Sequence, residues 1–185
     1  MKVNLDEIIE NVREKLVETN IILTGLEEEE KEFASILHGA GLVNQNTIKD
    51  IVVYGSSTAG NKKLQQAKRL KTQCYSLDEF KEEFLYEHNA KDTLKDMTVL
   101  IDINLDYKSI MPIYLLNPKA VMWSNQVNKR KVQEVDIVIS NENNLDNLKG
   151  GLKDWLRDKD VQQFSFDGKT LEPHKINKFK KQFTH

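Results

Sequence analysis

Apolar positions in the first half of the chain follow either a helical spacing or short continuous runs. Leu5, Ile8, Val12 and Leu16 recur every three or four residues, which predicts an amphipathic helix. Short apolar runs of two to four residues, bounded by glycine or polar residues, predict buried strands. The predicted elements of the first half are helix 5–17, strand 20–24, helix 27–38, a short strand beginning at 42–43, strand 50–54, helix 61–70, strand 72–75 and helix 77–86.

The second half shows a similar order of elements, with weaker patterns. Its predicted elements are strand 97–102, helix 107–116, strand 120–123, strand 135–140, helix 145–157, strand 161–166 and a basic helix 173–183. Pro112 weakens the first of these helices, because proline lacks the N–H that a helix interior needs. The order predicts an α/β fold with two small units in tandem, each a parallel four-stranded sheet flanked by helices, after an extra N-terminal helix.

A polar stretch over 87–96 divides the chain into two predicted domains, 1–90 and 91–185. Residues 1–90 hold 11 basic and 16 acidic side chains, whereas residues 91–185 hold 16 and 13. The net charge of the 185 residues is −2, which excludes a generally basic nucleic-acid coat but allows a local basic patch.

Three features of the sequence indicate the cellular compartment of the protein. No apolar run reaches the roughly 20 residues of a membrane span, and the acidic N-terminus is unlike a secretory or transit signal. The single cysteine, Cys74, can form neither an internal disulfide nor a thiolate metal cluster. We therefore expect a soluble intracellular protein without membrane contact, cytoplasmic or, in a eukaryote, nuclear.

Five segments of the first half, in this order, resemble the BRCT domain, a small α/β module of DNA repair and replication proteins. They are Ile21-Ile-Leu-Thr-Gly-Leu26, Gly39-Ala-Gly41, Asp50-Ile-Val-Val-Tyr-Gly55, Asn61-Lys-Lys-Leu-Gln-Gln-Ala-Lys-Arg-Leu70 and Tyr75-Ser-Leu-Asp-Glu-Phe80. They look like the family's first strand ending in Thr-Gly, its glycine turn, its third strand, its lysine-rich second helix and its closing Glu-Phe helix. The resemblance covers about residues 18–88, and residues 96–183 would then resemble a divergent second copy. The sequence departs from many members at Phe80, where they carry tryptophan, although members of the DNA-ligase type also have phenylalanine.

The resemblance implies a phosphate pocket made of a threonine hydroxyl, a glycine N–H and a lysine. Carried over to this sequence, these are Thr24, Gly25 and Lys63, with Lys62 as the alternative lysine. The chemistry is sound, because a lysine bond to phosphate is charge-assisted and about twice as strong as a neutral hydrogen bond. The alternative interpretation is that Thr24 and Gly25 merely end a strand and that both lysines are solvated.

A basic cluster adds Lys68, Arg69 and Lys71 to the two lysines, within an otherwise acidic half. Such a cluster either keeps a helix soluble or binds a phosphodiester backbone through counterion release. Few aromatic residues lie among the basic runs, so stacking on nucleic-acid bases is not indicated.

Two enzymatic interpretations compete. The segment 55–62 nearly matches a nucleotide-binding phosphate loop, but Asn61 displaces the required lysine by one position, which disfavours nucleotide hydrolysis. Acids at predicted strand ends, namely Asp102, Asp106, Glu134 and Asp136, could hold magnesium for phosphoester hydrolysis, although acids commonly end strands and cap helices.

The sequence thus favours a non-enzymatic module that recognises phosphate, with no catalytic residue, metal or cofactor. Its expected partner is a DNA 5′ end or nick, or a phosphorylated protein, in DNA replication or repair. The alternatives are a magnesium-dependent phosphoester hydrolase and a pure protein–protein scaffold.

Overall fold

The computed structural model describes residues 2–16, 19–39, 50–57, 61–86, 92–141, 148, 151–157, 159 and 161–173. The chain forms two compact units: the first unit comprises residues 7–88, and the second unit joins residues 1–6 to residues 89–185. Among the described helices, none is long and apolar enough to cross a bilayer.

Nine strands and seven α-helices are found among the described residues. The strands are β1 (Val3–Asn4), β2 (Ile21–Thr24), β3 (Ile51–Tyr54), β4 (Gln73–Ser76), β5 (Thr98–Ile101), β6 (Ala120–Trp123), β7 (Ile137–Ser140), β8 (Gln162–Phe166) and β9 (Thr170–Pro173). The helices are α1 (Leu5–Lys15), α2 (Lys31–Gly39), α3 (Lys62–Arg69), α4 (Leu77–Phe80), α5 (Tyr107–Ile110), α6 (Lys129–Val132) and α7 (Leu152–Arg157). A 3₁₀ turn, Glu28–Glu30, precedes α2, and a π-helical segment, Lys81–Leu85, follows α4.

The first unit contains a parallel sheet in the order β2-β3-β4. The apolar runs of β2 and β3 are largely buried, whereas β4 is half-buried, and Val52 of β3 packs with Leu64 and Ala67 of α3. Because Leu64 and Ala67 lie three residues apart, they occupy one face of α3, and the charged residues lie on its other faces. The short strand predicted at 42–43 lies outside the described residues.

The second unit contains a six-stranded sheet in the order β1-β9-β8-β7-β5-β6. Strands β6, β5, β7 and β8 are parallel, while β9 runs antiparallel to both β8 and β1. Leu100 and Val138 form a core with residues of the two helices on that face, including Val132, Leu152 and Leu156. The fold is therefore α/β, with mostly parallel sheets flanked by helices.

The predicted elements of the second unit need correction in four places. Helix α6 was not predicted, and the helix predicted over 145–157 begins only at Leu152, since Leu148 lies in a bend and Gly151 in a turn. Strands β1 and β9 were not predicted, and they extend the parallel part of the sheet by an antiparallel pair. The helix predicted to begin at Pro173 is wrong at its start, because Pro173 is the last residue of β9 and pairs with Phe164. The remainder of that prediction, 174–183, lies outside the described residues.

The effect of Pro112 is as the sequence predicted. Helix α5 ends at Ile110, and the buried segment Met111–Leu116 continues as a 3₁₀ helix with Pro112 in its first turn. Proline is tolerated there because first-turn N–H groups have no partner within the helix. Asn117 then ends the segment in the left-handed conformation, with φ 59°.

Candidate functional site

The predicted phosphate site lies where β2 ends and the first turn of α3 begins. Thr24 is the last residue of β2, and Gly25 follows it with φ +64°. A Cβ on Gly25 would lie 2.3 Å from the Ser57 carbonyl oxygen, so only glycine fits this turn. The Gly25 carbonyl accepts a hydrogen bond from the Ser57 N–H at 2.9 Å, and the Thr24 carbonyl accepts one from the Gly55 N–H at 2.9 Å.

Asn61 connects this turn to α3. Its Oδ1 accepts hydrogen bonds from the Leu64 N–H and from the Thr24 hydroxyl, both at 3.1 Å, so Asn61 is the N-cap of α3. Its Nδ2 lies 3.0 Å from the position of a Cβ built on Gly25. The Thr24 hydroxyl therefore donates within the protein, and the Asn61 amide is an additional donor group beside the turn.

Lys62 and Lys63 occupy the first turn of α3, and both are exposed. Successive helical residues are rotated by about 100° from one another. This rotation places Lys63 beside the face that Leu64 and Ala67 bury, and Lys62 opposite to it. Lys63 therefore lies closer than Lys62 to the face of α3 that packs on the sheet.

A carboxylate lies on the other side of the turn. Glu30 Oε1 accepts hydrogen bonds from the Ser56 N–H at 2.9 Å and the Glu27 N–H at 3.0 Å. Burial raises the pKa of Glu30, but these hydrogen bonds outweigh it and hold the pKa below its usual value. The group is therefore ionised at neutral pH, and the site combines exposed lysines with one fixed negative charge.

Lys81 lies near this carboxylate and balances part of its charge. Its Nζ is 3.8 Å from the centre of the Phe33 ring and 3.7 Å from the Asp78 carboxylate. Burial lowers the pKa of Lys81, whereas attraction to Asp78 and Glu30 raises it, and burial has the larger effect. Lys81 is therefore held by contacts within the protein, unlike the two exposed lysines of α3.

The other predicted nucleic-acid contacts lie at the opposite end of α3. Lys68 and Arg69 are in its last turn, where cations interact favourably with the helix dipole. Lys71 follows with φ 57° and lines a pocket of about 640 Å³ together with Asp50. An eight-residue helix is about 12 Å long, so one phosphate cannot contact both ends.

The acids considered for magnesium do not meet at one point. Asp102 directly follows β5, whereas Asp136 directly precedes β7 and accepts a hydrogen bond from the Thr98 N–H at 2.9 Å. Since β5 and β7 are parallel, these two carboxylates lie at opposite ends of the sheet. Asp106 caps α5 through Ser109, and Glu134 lies in the exposed turn before β7.

No group of three or more histidine, cysteine, aspartate or glutamate residues with metal-binding geometry is present in the part of the chain that the structure describes. Cys74 is a free, half-buried thiol in β4, and its Sγ donates to the Thr72 carbonyl at 3.4 Å. Neither observation provides a catalytic group.

Two residues of the site were not identified from the sequence. Asn61 was included in the predicted helix, although an asparagine directly before a helical pattern is a typical N-cap. Glu30 carried no usable signal, because its hydrogen bond to Ser56 joins segments 26 residues apart.

The chain was compared with models of known protein families, with curated proteins and with solved structures, and no match was found in any of the three comparisons.

Proposed function

We propose that the first unit is a non-enzymatic module that recognises a phosphate group at the Thr24–Gly25 turn. The single observation that carries this proposal is the meeting of a left-handed glycine turn, the Asn61 cap and the lysine-bearing first turn of α3. Helix N-termini favour anions, because their unpaired N–H groups and the helix dipole present partial positive charge.

The roles within the site follow from the donors. Lys63 supplies a charge-assisted bond to a phosphate oxygen, and the Asn61 amide and the Gly25 N–H supply neutral ones. Thr24 contributes in one of two ways: its hydroxyl turns from Asn61 to the phosphate, or it keeps Asn61 in position. Glu30 limits the total negative charge that the site accepts, which favours a single phosphate over several close together.

The strand order supports a BRCT-like interpretation of both units. In the second unit the first, third and fourth parallel strands are neighbours in the order β5-β7-β8, and β6 lies beyond β5. The described strands of the first unit, β2-β3-β4, are parallel neighbours in the corresponding order. Together with the resembling segments, this favours a tandem adaptor that acts in DNA replication or repair.

The test is a titration of the full chain with paired ligands. One pair is a nicked DNA duplex with and without its 5′ phosphate, and the other is a set of phosphoserine peptides and their unphosphorylated forms. A lost hydrogen bond to a charged group costs about 1.5–3 kcal/mol, so Lys63→Ala should weaken binding of the phosphorylated form roughly tenfold to a hundredfold.

Lys68→Ala is the matched control, because it removes the same charge from the other end of the same helix. It should leave the preference for the phosphorylated form unchanged. If the affinity of the chain for the nicked duplex falls steeply as the salt concentration rises, DNA is identified as the ligand. Equal affinity for both forms of both ligands would contradict the proposal and leave the first unit as a scaffold.

A further inference from the structure

A row of oxygen-bearing side chains crosses the second sheet at the carboxyl ends of its strands. The Asp102 N–H donates to the Ile139 carbonyl at 3.0 Å, and the Ser124 N–H donates to the Ile101 carbonyl at 2.9 Å. Each bond continues a parallel ladder by one residue, which sets Asp102 opposite Ser140 of β7 and opposite Ser124 after β6. Neighbouring strands are about 4.8 Å apart, so these three side chains are neighbours. The Ser124 Oγ accepts a hydrogen bond from the Ile103 N–H at 2.9 Å and keeps a second lone pair for a ligand.

Two members of the row are buried and incompletely paired. Asp102 is 2% exposed, and its Oδ1 accepts hydrogen bonds from the N–H and Nδ2 of Asn104, both at 3.0 Å. Ser140 is 0% exposed, and its Oγ has no hydrogen-bond partner within the described part of the chain. Among the described residues, no lysine, arginine or histidine forms an ion pair with Asp102. A buried carboxylate is normally paired with a cation or coordinates a metal, and a buried hydroxyl without a partner is costly.

The position of the row points to a ligand site. The chain passes from β5 to β6 on one side and then returns to β7 on the other side of β5. In open α/β sheets, ligands bind outside the carboxyl ends of the strands, where the strand order reverses in this way. Asp102 and Ser140 stand on the two strands that flank this reversal.

The donor set selects the class of ligand. It consists of one carboxylate and two hydroxyls, and the carboxylate repels an anion. Hard divalent cations take oxygen ligands, and Mg²⁺ in particular is commonly held by one or two carboxylates while it keeps several waters. We propose that Asp102, Ser140 and Ser124 bind a divalent cation of the Mg²⁺ class at this edge of the second sheet, with water in the remaining coordination positions.

Mn²⁺ is the probe for this site, because it replaces Mg²⁺ on oxygen ligands and broadens nearby amide signals in NMR spectra of the full chain. The amides of Ile103, Asn104 and Ser140 should broaden first, with saturation, and excess Mg²⁺ should restore them. Asp102→Asn should weaken this binding at least about tenfold, since it removes the only charged ligand, while its amide oxygen still accepts from Asn104.

Asp136→Asn is the control, because it removes a carboxylate from the opposite end of the same strand pair. It should leave the Mn²⁺ affinity unchanged, and Ser140→Ala should weaken it by a smaller factor than Asp102→Asn. Both aspartate variants are checked for retained amide dispersion before titration. Equal Mn²⁺ broadening in wild type and Asp102→Asn, broadening centred on another segment, no saturation in the low millimolar range or no reversal by Mg²⁺ would each overturn the proposal.

Discussion

At Gly25 the backbone has φ +64°, and the nearest atom to a built Cβ is the Ser57 carbonyl oxygen. Gly168 also has a positive φ, +100°, but a Cβ there meets nothing within 4 Å. A side chain at Gly25 would cause both backbone strain and a steric clash, whereas one at Gly168 would cause backbone strain alone. Comparing the two positions therefore distinguishes these effects. They also belong to different units, so each can be followed by amide protection in its own sheet.

Gly25→Ala should lower the free energy of unfolding of the first unit by about 2–4 kcal/mol, because it adds a clash to the strain. Gly168→Ala, which adds strain alone, should cost the second unit about 1–2 kcal/mol. Native-state hydrogen exchange at Val52 and Val138 measures the two effects separately. A Gly25→Ala cost no larger than the Gly168→Ala cost would show that the Thr24–Gly25 turn is not tightly packed.

Glu30 makes the stability of the first unit depend on pH. Its pKa in the folded chain lies below the ordinary 4.5, so its hydrogen bonds stabilise the fold above that pH. This contribution is lost as the pH falls through the folded pKa. Unfolding of wild type and Glu30→Gln, measured from neutral pH to about pH 3, should show a clear difference at neutral pH that disappears in acid.

The control for this series is Glu29→Gln, which changes the net charge equally at an exposed neighbour. It should follow wild type throughout the pH range. A stability difference between wild type and Glu30→Gln that persisted in acid would mean that the contact acts by packing rather than by charge.

At the scale of elements, Asn61 both caps α3 and faces the proposed phosphate site, and one substitution can separate these roles. Aspartate caps helices as well as asparagine does, and a negative charge suits a helix N-terminus. Asn61→Asp should therefore retain stability but weaken phosphate binding, because it places a carboxylate beside Lys63. Asn61→Ala should instead lower stability by about 0.5–2 kcal/mol.

Thermal unfolding and the phosphate titration together check this prediction. Asn128 caps α6 in the same way, with its Oδ1 accepting from the Lys131 N–H at 2.9 Å. Asn128→Asp is therefore the control, and it should change neither stability nor phosphate affinity appreciably. If Asn61→Asp bound the phosphorylated ligand as tightly as wild type does, the phosphate would have to bind somewhere other than this turn.

Strands with buried apolar runs were predictable, since β2, β3, β5 and β7 each contain three or four consecutive apolar residues. Strands β1 and β9 were not, because one has two residues and the other alternates polar and apolar residues before a proline. Such short strands form through pairing with their neighbours, and local sequence carries little of that preference.

The candidate site likewise has parts that the sequence predicted and parts that it did not. Thr24 and Gly25 form a local pattern at the end of a strand, and the lysines form another at the start of a helix. The links between them are hydrogen bonds from the Thr24 hydroxyl to Asn61 Oδ1 and from the Ser56 N–H to Glu30 Oε1, which join distant segments. Side-chain contacts of this kind depend on the folded arrangement and leave no spacing to read in the chain.

For the whole molecule, β1 gives the second unit a part of the chain that precedes the first unit. Val3 pairs with Leu171, and the Leu5 N–H donates to the Lys169 carbonyl at 2.8 Å. Deleting residues 1–4 should therefore reduce the amide protection of β9 more than that of β3. Hydrogen exchange with mass spectrometry, on the truncated and full chains, measures both strands in one experiment, and unchanged protection of β9 would contradict the pairing.

The same strand pair imposes an order on biosynthesis. The ribosome completes β1 before the first unit and β9 after it, so β9 has a free edge until β1 returns to it from across the intervening chain. Folding of the first unit during translation would bring these ends together sooner, since a compact insert costs less closure entropy than an open loop of equal length. Until then, two nascent chains on one messenger could pair through their free β9 edges, and we expect the pairing of β1 with β9 to close that edge.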